Sequence, residues 1–313
     1  MVKRPVNQMT PGLQFLVFIC ISIGIILLGT VISFVIVLAT QGLDVLLDVL
    51  RGTLNNPGIV RALYVLQIVG TTLPIFIAPV VFACYIVKQP AEYLKTTIKI
   101  NWVLFVAAFF IMMISMPLIE LSSNINQKMV LPEFLKGIED WMKRSEVMAR
   151  KVTDLLLKMD TVADMIKNLV LVGLLTAIVE EFMFRGVVQT LMMKMTKNLH
   201  AAVWITAILF SAFHMEFYGF LPRMIIGAIL GYFAAWSGSV WPAVWGHFLN
   251  NGTAVVVTYL FQHKMIKTSP DSTHVFNYGS YIFSLIIIII LLLVYKNLAQ
   301  GKNSHDFNGE ELG

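Results

Sequence analysis

Residues 13–40 read LQFLVFICISIGIILLGTVISFVIVLAT, without one charged side chain. A helix that crosses the ~30 Å hydrocarbon core of a bilayer needs about 20 predominantly apolar residues, and this run supplies more than that. It lacks a small-x-small cleavage site and is long for a signal-peptide core, so it reads as a retained membrane helix. Working outward, runs of the same kind lie at 59–87, 102–119, 169–193, 200–218, 220–237, 239–261 and 280–295. The fifth and sixth are short and close together. The expected fold is all-α, a polytopic membrane helix bundle of about eight transmembrane helices.

Composition agrees. Of the 313 residues, 58% are hydrophobic and 13% charged, against roughly 45–50% and about 25% in soluble domains. A disordered or ordinary soluble protein is excluded. The net charge of +5 comes from scattered residues, with no basic stripe interleaved with aromatics, so no nucleic-acid partner is expected. Cys20 and Cys84 both sit in apolar runs and read as packing residues, not as a disulfide framework. Loop cations set the orientation. Lys3 and Arg4, then Lys88, Lys95 and Lys99, then Arg185, Lys194 and Lys197, and finally Lys296 and Lys302 all fall on one side if there are eight spans. An integral membrane protein of a bacterial cell membrane with both termini cytoplasmic is expected.

The chain divides into four parts. Residues 1–120 are N-terminal transmembrane helices and 121–168 an extramembrane connector. Residues 169–262 form a polar helix core, and 263–313 a last transmembrane helix with a polar tail. In the connector, Leu131, Leu135, Ile138 and Met142 recur at three or four, the period of an amphipathic helix. It reads either as a solvated helical connector or as an interfacial lid controlling access between helices three and four.

Ionisable side chains are costly inside a bilayer and mark function. Here they collect in 169–262, as Glu180, Glu181, Arg185, His214, Arg223 and His247, with the polar Asn250 and Asn251 beside them. Adjacent Glu180 and Glu181 point about 100° apart on a helix, so they serve different ends. Glu181 and Arg185, at i and i+4, can pair. Glu180 is left without an intrahelical cation, the situation in which a buried carboxylate serves as a base. His247 and Asn251 share a helical face and could stabilise an oxyanion, while Asn250 is turned away. The plain alternative is packing: glutamates against Arg185, a satisfied core histidine, and asparagines bonding helix to helix. Depth argues for a common purpose. With helix ends near 194, 200 and 237, Glu180, His214 and Asn251 each lie about 21 Å in and His247 about 15 Å.

The ordered set Glu180-Glu181-x-x-x-Arg185, Phe210-x-x-x-His214 and His247-x-x-x-Asn251 resembles the CAAX protease and bacteriocin-processing family, the type II CAAX prenyl endopeptidase-like intramembrane proteases. Phe184-Arg185-Gly186, Gly227 with Gly231, and Trp241-Pro242 fit as well. The resemblance covers about 175–255. It implies an endopeptidase in which Glu180 activates water with the help of His214, His247 and Asn251 stabilise the oxyanion, and Glu181 and Arg185 form a structural ion pair. The substrate expected is a membrane-associated peptide or protein. No cofactor is expected. Zinc is the alternative, since Glu and two His could ligate it, but there is no His-Glu-x-x-His motif. The competing functions are a non-enzymatic scaffold or immunity factor of the same fold, and a proton-coupled transporter. The complete motif set disfavours the scaffold, and the lack of an inverted repeat disfavours the transporter.

Overall fold

A computed structural model describes residues 9–270, 272 and 275–301. Lys3, Arg4, Lys302 and the tail beyond Gly301 lie outside the described residues. Those described form helices and connecting turns, with no strand among them. In chain order they are α1 (Pro11–Gln41), α2 (Leu43–Arg51), α3 (Ile59–Ile86), α4 (Pro90–Leu94), α5 (Val103–Asn126), α6 (Lys136–Leu156), α7 (Val162–Thr196), α8 (Leu199–Phe213), α9 (Phe220–Ser237), α10 (Trp241–Gln262) and α11 (Tyr278–Gln300). Six of them, α1, α3, α5, α7, α9 and α11, are long and apolar enough to cross a membrane. α8 is apolar but only 15 residues long. α10 has 22 residues and is interrupted by His247, Asn250 and Asn251. The chain is an all-α polytopic membrane protein.

Local chemistry sets the helix ends. Pro11 opens α1 behind Thr10, whose side chain accepts from the Leu13 N–H, and Gly42, at φ +90°, breaks α1 from α2. Thr161 and Asp164 form a reciprocal capping box. α7 therefore starts at Val162, ahead of the apolar run that begins at 169. α8 stops at Phe213, short of 218, because the backbone turns over at Met215 (φ 55°).

Helix ends gather in two layers. In the layer holding the start of α1, Lys194 reaches the Tyr93 hydroxyl at 2.8 Å and the Val240 N–H donates to the Lys95 carbonyl at 3.0 Å. In the opposite layer, the Tyr64 hydroxyl donates to the Leu156 carbonyl at 3.0 Å, and the Asn126 amide brackets the turn after α8. That amide donates to the Phe217 carbonyl at 2.9 Å and accepts from the Leu221 N–H at 2.7 Å. α6 runs in this second layer.

Between the layers, contact depends on small residues, as lipid gives apolar helices no hydrophobic reason to associate. Gly227 and Gly231 let α9 approach α8 and α7: a Cβ at Gly227 would stand 3.3 Å from the Ala207 Cα, and one at Gly231 would stand 3.0 Å from Val203 and from the Gln189 amide oxygen. α7 has two π-helical stretches, Leu169–Leu175 and Phe182–Val188, flanking the turn that carries both glutamates. Such local widening is common at functional sites.

Candidate active site

The turn Thr176–Glu181 of α7 sends its two carboxylates to different neighbours, as their 100° separation requires. Glu181 is fully buried. Its Oε1 accepts from Arg185 Nη1 at 2.7 Å and from His247 Nδ1 at 2.8 Å. Arg185, also fully buried, donates from Nη2 to the Gly227 carbonyl at 2.9 Å, and its guanidinium lies 4.6 Å from the centre of the Phe210 ring. One turn on, Gln189 Nε2 donates to the Gly231 carbonyl at 3.0 Å. Arg185 and Gln189 thus read two glycine carbonyls at the same i, i+4 spacing, a ladder that fixes α7 against α9.

Glu180 makes none of these contacts. Its Oε2 is buried without a hydrogen-bond partner and lies 3.8 Å from both His214 Nε2 and His247 Nε2. Three helices therefore converge on one carboxylate oxygen. His214 caps the C-terminus of α8, and its Nδ1 lies 2.9 Å from the Phe210 carbonyl. A carbonyl only accepts, so Nδ1 carries the proton and Nε2 is left toward Glu180. By the same reasoning His247 Nδ1 donates to Glu181 and turns its Nε2 toward Glu180. Phe210 lies edge-on between the imidazoles, its ring centre 4.9 Å from that of His214 and 5.9 Å from that of His247.

Asn251 lies one turn beyond His247 on the same face of α10. Its Nδ2 donates to the Val172 carbonyl of α7 at 3.3 Å, and its Oδ1 accepts from Asn250 at 3.1 Å. The structure gathers Glu180, His214 and His247 around one point, and Glu181 with Arg185 behind them. Asn251 follows one turn along α10, bonded to the Val172 carbonyl of α7. Gln189, the carbonyls of Gly227 and Gly231, and Asn126, which holds the turn after His214, are absent from the sequence reading. For Gln189 a signal existed: a polar residue four places after Arg185 in a membrane run. For the glycine carbonyls there was none.

Among the described residues no group of three or more His, Cys, Asp or Glu side chains is arranged to hold a metal ion.

Residues 163–253 match the family described as Rce1-like, type II CAAX prenyl endopeptidase Rce1-like. That stretch contains every site residue named above except Asn126. Neither the curated proteins nor the solved structures gave a match. The converging helices that carry Glu180, His214 and His247 thus lie in a stretch similar to the type II CAAX prenyl endopeptidase Rce1-like family.

Proposed function

We propose that the protein is an intramembrane endopeptidase in which Glu180 is the general base. The observation that carries this reading is the Glu180 Oε2 atom, buried, unpartnered and 3.8 Å from two imidazole nitrogens on different helices. A buried oxygen without a partner costs about 1–3 kcal/mol, and a site that retains one has a use for it. A water set between Glu180 Oε2 and His214 Nε2 can donate a hydrogen to each, leaving a lone pair free for a peptide carbonyl carbon. Glu180 takes the proton as the water attacks and returns it to the leaving amine. His247 Nε2, when the ring carries its second proton, and Asn251 Nδ2 are the donors for the oxyanion. Glu181 holds the His247 ring, and Arg185 balances Glu181. No step calls on a metal.

The substrate is a membrane-associated peptide or protein, and the termini are cytoplasmic by the loop cations. The test is Glu180→Gln, assayed on membrane-anchored reporter peptides. General-base removal costs about 10²- to 10⁴-fold in rate. Because no protein group hydrogen-bonds to Oε2, thermal stability in detergent should stay close to the wild-type value. Wild-type turnover by Glu180→Gln would refute the assignment.

A further inference from the structure

α8 and α9 form a short hairpin. The 15 residues of α8 reach about 22 Å, less than the ~30 Å core. The turn that begins at His214 is thus recessed beneath the layer in which α6 runs. Between turn and α6 is a cavity of about 980 Å³, at the upper end of the range for ligand sites.

Two walls of this cavity belong to elements that also carry site residues. On α10, Thr258 lines it and lies on the stripe of His247 and Asn251, two turns and about 10 Å beyond Asn251. On the hairpin, Glu216 lines it two residues after His214 and is ion-paired with Arg223. The roof is α6, and its orientation is informative. Lys143, Glu146, Arg150 and Asp154 lie along one stripe and line the cavity. On the opposite stripe, Ile138, Trp141 and Met148 are exposed. A solvated connector turns its apolar stripe inward, whereas here the charged stripe lines the cavity and part of the apolar stripe is exposed, an orientation that suits a helix lying in a membrane interface. Polar contacts link the roof to the hairpin: the Tyr218 N–H donates to Glu146 at 3.3 Å, and the Lys143 ammonium lies 6.0 Å from the Tyr218 ring centre.

We propose that this cavity receives the polar, extramembrane flank of the peptide substrate. The scissile bond then reaches Glu180 from the side of the membrane opposite the chain's termini, beneath α6. This rests on the endopeptidase reading. Three cations (Lys143, Arg150, Arg223) and three anions (Glu146, Asp154, Glu216) line the space. That lining suits a hydrated polypeptide of mixed charge and rejects an acyl or prenyl chain, which would strand the charges without solvent. Arg223 Nη1, buried with no hydrogen-bond partner, is a donor for a peptide carbonyl.

The experiment uses the full chain with Cys20→Ser, Cys84→Ser and Thr258→Cys, in sealed proteoliposomes whose orientation is read from a C-terminal tag. The probe is a membrane-impermeant, sulfonate-bearing methanethiosulfonate. The reporter is a mixed-sequence peptide with a transmembrane anchor and a polar flank. The thiol should react only from the side opposite the tag. Reporter cleavage should then fall at least tenfold and return on reduction. Absence of reaction from that side, or reaction with an unchanged rate, overturns the proposal and leaves the endopeptidase reading standing. Cleavage by the unmodified protein no faster than by its Glu180→Gln version overturns both. Thr153→Cys, on the cavity face of α6, replaces Thr258→Cys if the latter does not accumulate, with the same outcomes.

Discussion

Replacing Arg185 with methionine, alone and together with Glu181, separates a positioning role for Glu181 from a purely structural one. Arg185→Met leaves the Glu181 carboxylate fully buried without its guanidinium partner, with only the His247 ring bonded to it. Breaking a buried ion pair in this way costs about 3–5 kcal/mol. Glu181 Oε2 and Arg185 Nε are already buried without partners, which places the loss toward the lower end. Glu181→Met with Arg185→Met exchanges the whole pair for apolar volume, a change that is often nearly neutral. What remains is the Gly227 carbonyl without its donor, about 1–3 kcal/mol. The double variant should therefore be more stable than Arg185→Met alone. Activity should not follow. His247 Nδ1 has lost its acceptor at 2.8 Å, the ring is free to turn, and a misplacement of about 1 Å can cost on the order of 100-fold. Chemical unfolding in detergent and reporter cleavage are measured on both variants. A double variant that regains turnover along with stability would show that Glu181 only balances Arg185. An Arg185→Met protein as stable as wild type would refute the buried-pair argument.

Three further outcomes are expected. Purified protein treated with EDTA should contain no stoichiometric metal and keep its rate, and activity lost to EDTA and restored by zinc would establish the metalloprotease alternative. Asn251→Ala should lower kcat about 100- to 1000-fold with little change in KM, and Asn250→Ala far less, although Asn250 bonds to Asn251; equal, modest losses would assign both to helix packing. Finally, Glu139 on α6 is held below the ordinary glutamate value of 4.5, first by its hydrogen bond to Lys143 at 2.5 Å and further by Lys136 and the Leu131 N–H. A depressed carboxyl stabilises the fold above 4.5, and that contribution is lost as pH falls through the lower, folded-state value. Amide exchange at 131–143 should speed up as pH drops below 4.5, after correction for intrinsic rates, and Glu139→Gln should abolish the step.

What the sequence disclosed and what it withheld follow from the range of each physical rule. Helix existence follows from apolar run length, and all of the apolar runs fall on helices. Helix ends depend on single polar residues. The run at 169–193 gave no sign of the helix start at Val162, because the Thr161–Asp164 box lies in a stretch that is polar by composition. The i, i+4 rule foresaw Glu181 beside Arg185, because both lie on one helix. It could not foresee that the same Glu181 oxygen also holds His247, sixty-six residues on, nor that two glycine carbonyls answer Arg185 and Gln189. Contacts between helices depend on register, and register here is set by glycines whose contribution is a missing side chain.

The connector shows the same limit from the other direction. Periodicity identified a helix with one apolar and one charged stripe, but periodicity cannot say which stripe faces the protein. In water the apolar stripe turns inward, because that removes it from solvent. At a membrane surface lipid accepts the apolar stripe, and the charged one is free to face a hydrated interior. α6 has the orientation that the second arrangement requires, with Trp141 and Ile138 exposed and Lys143, Glu146 and Arg150 lining the cavity. The choice follows from the short α8–α9 hairpin beneath it. A hairpin that filled the core would leave α6 an apolar floor, whereas one that ends at His214 leaves a polar space that only charged or hydrated groups can line without penalty. The length of α8 thus fixes the depth of His214 and the polarity of the chamber above it.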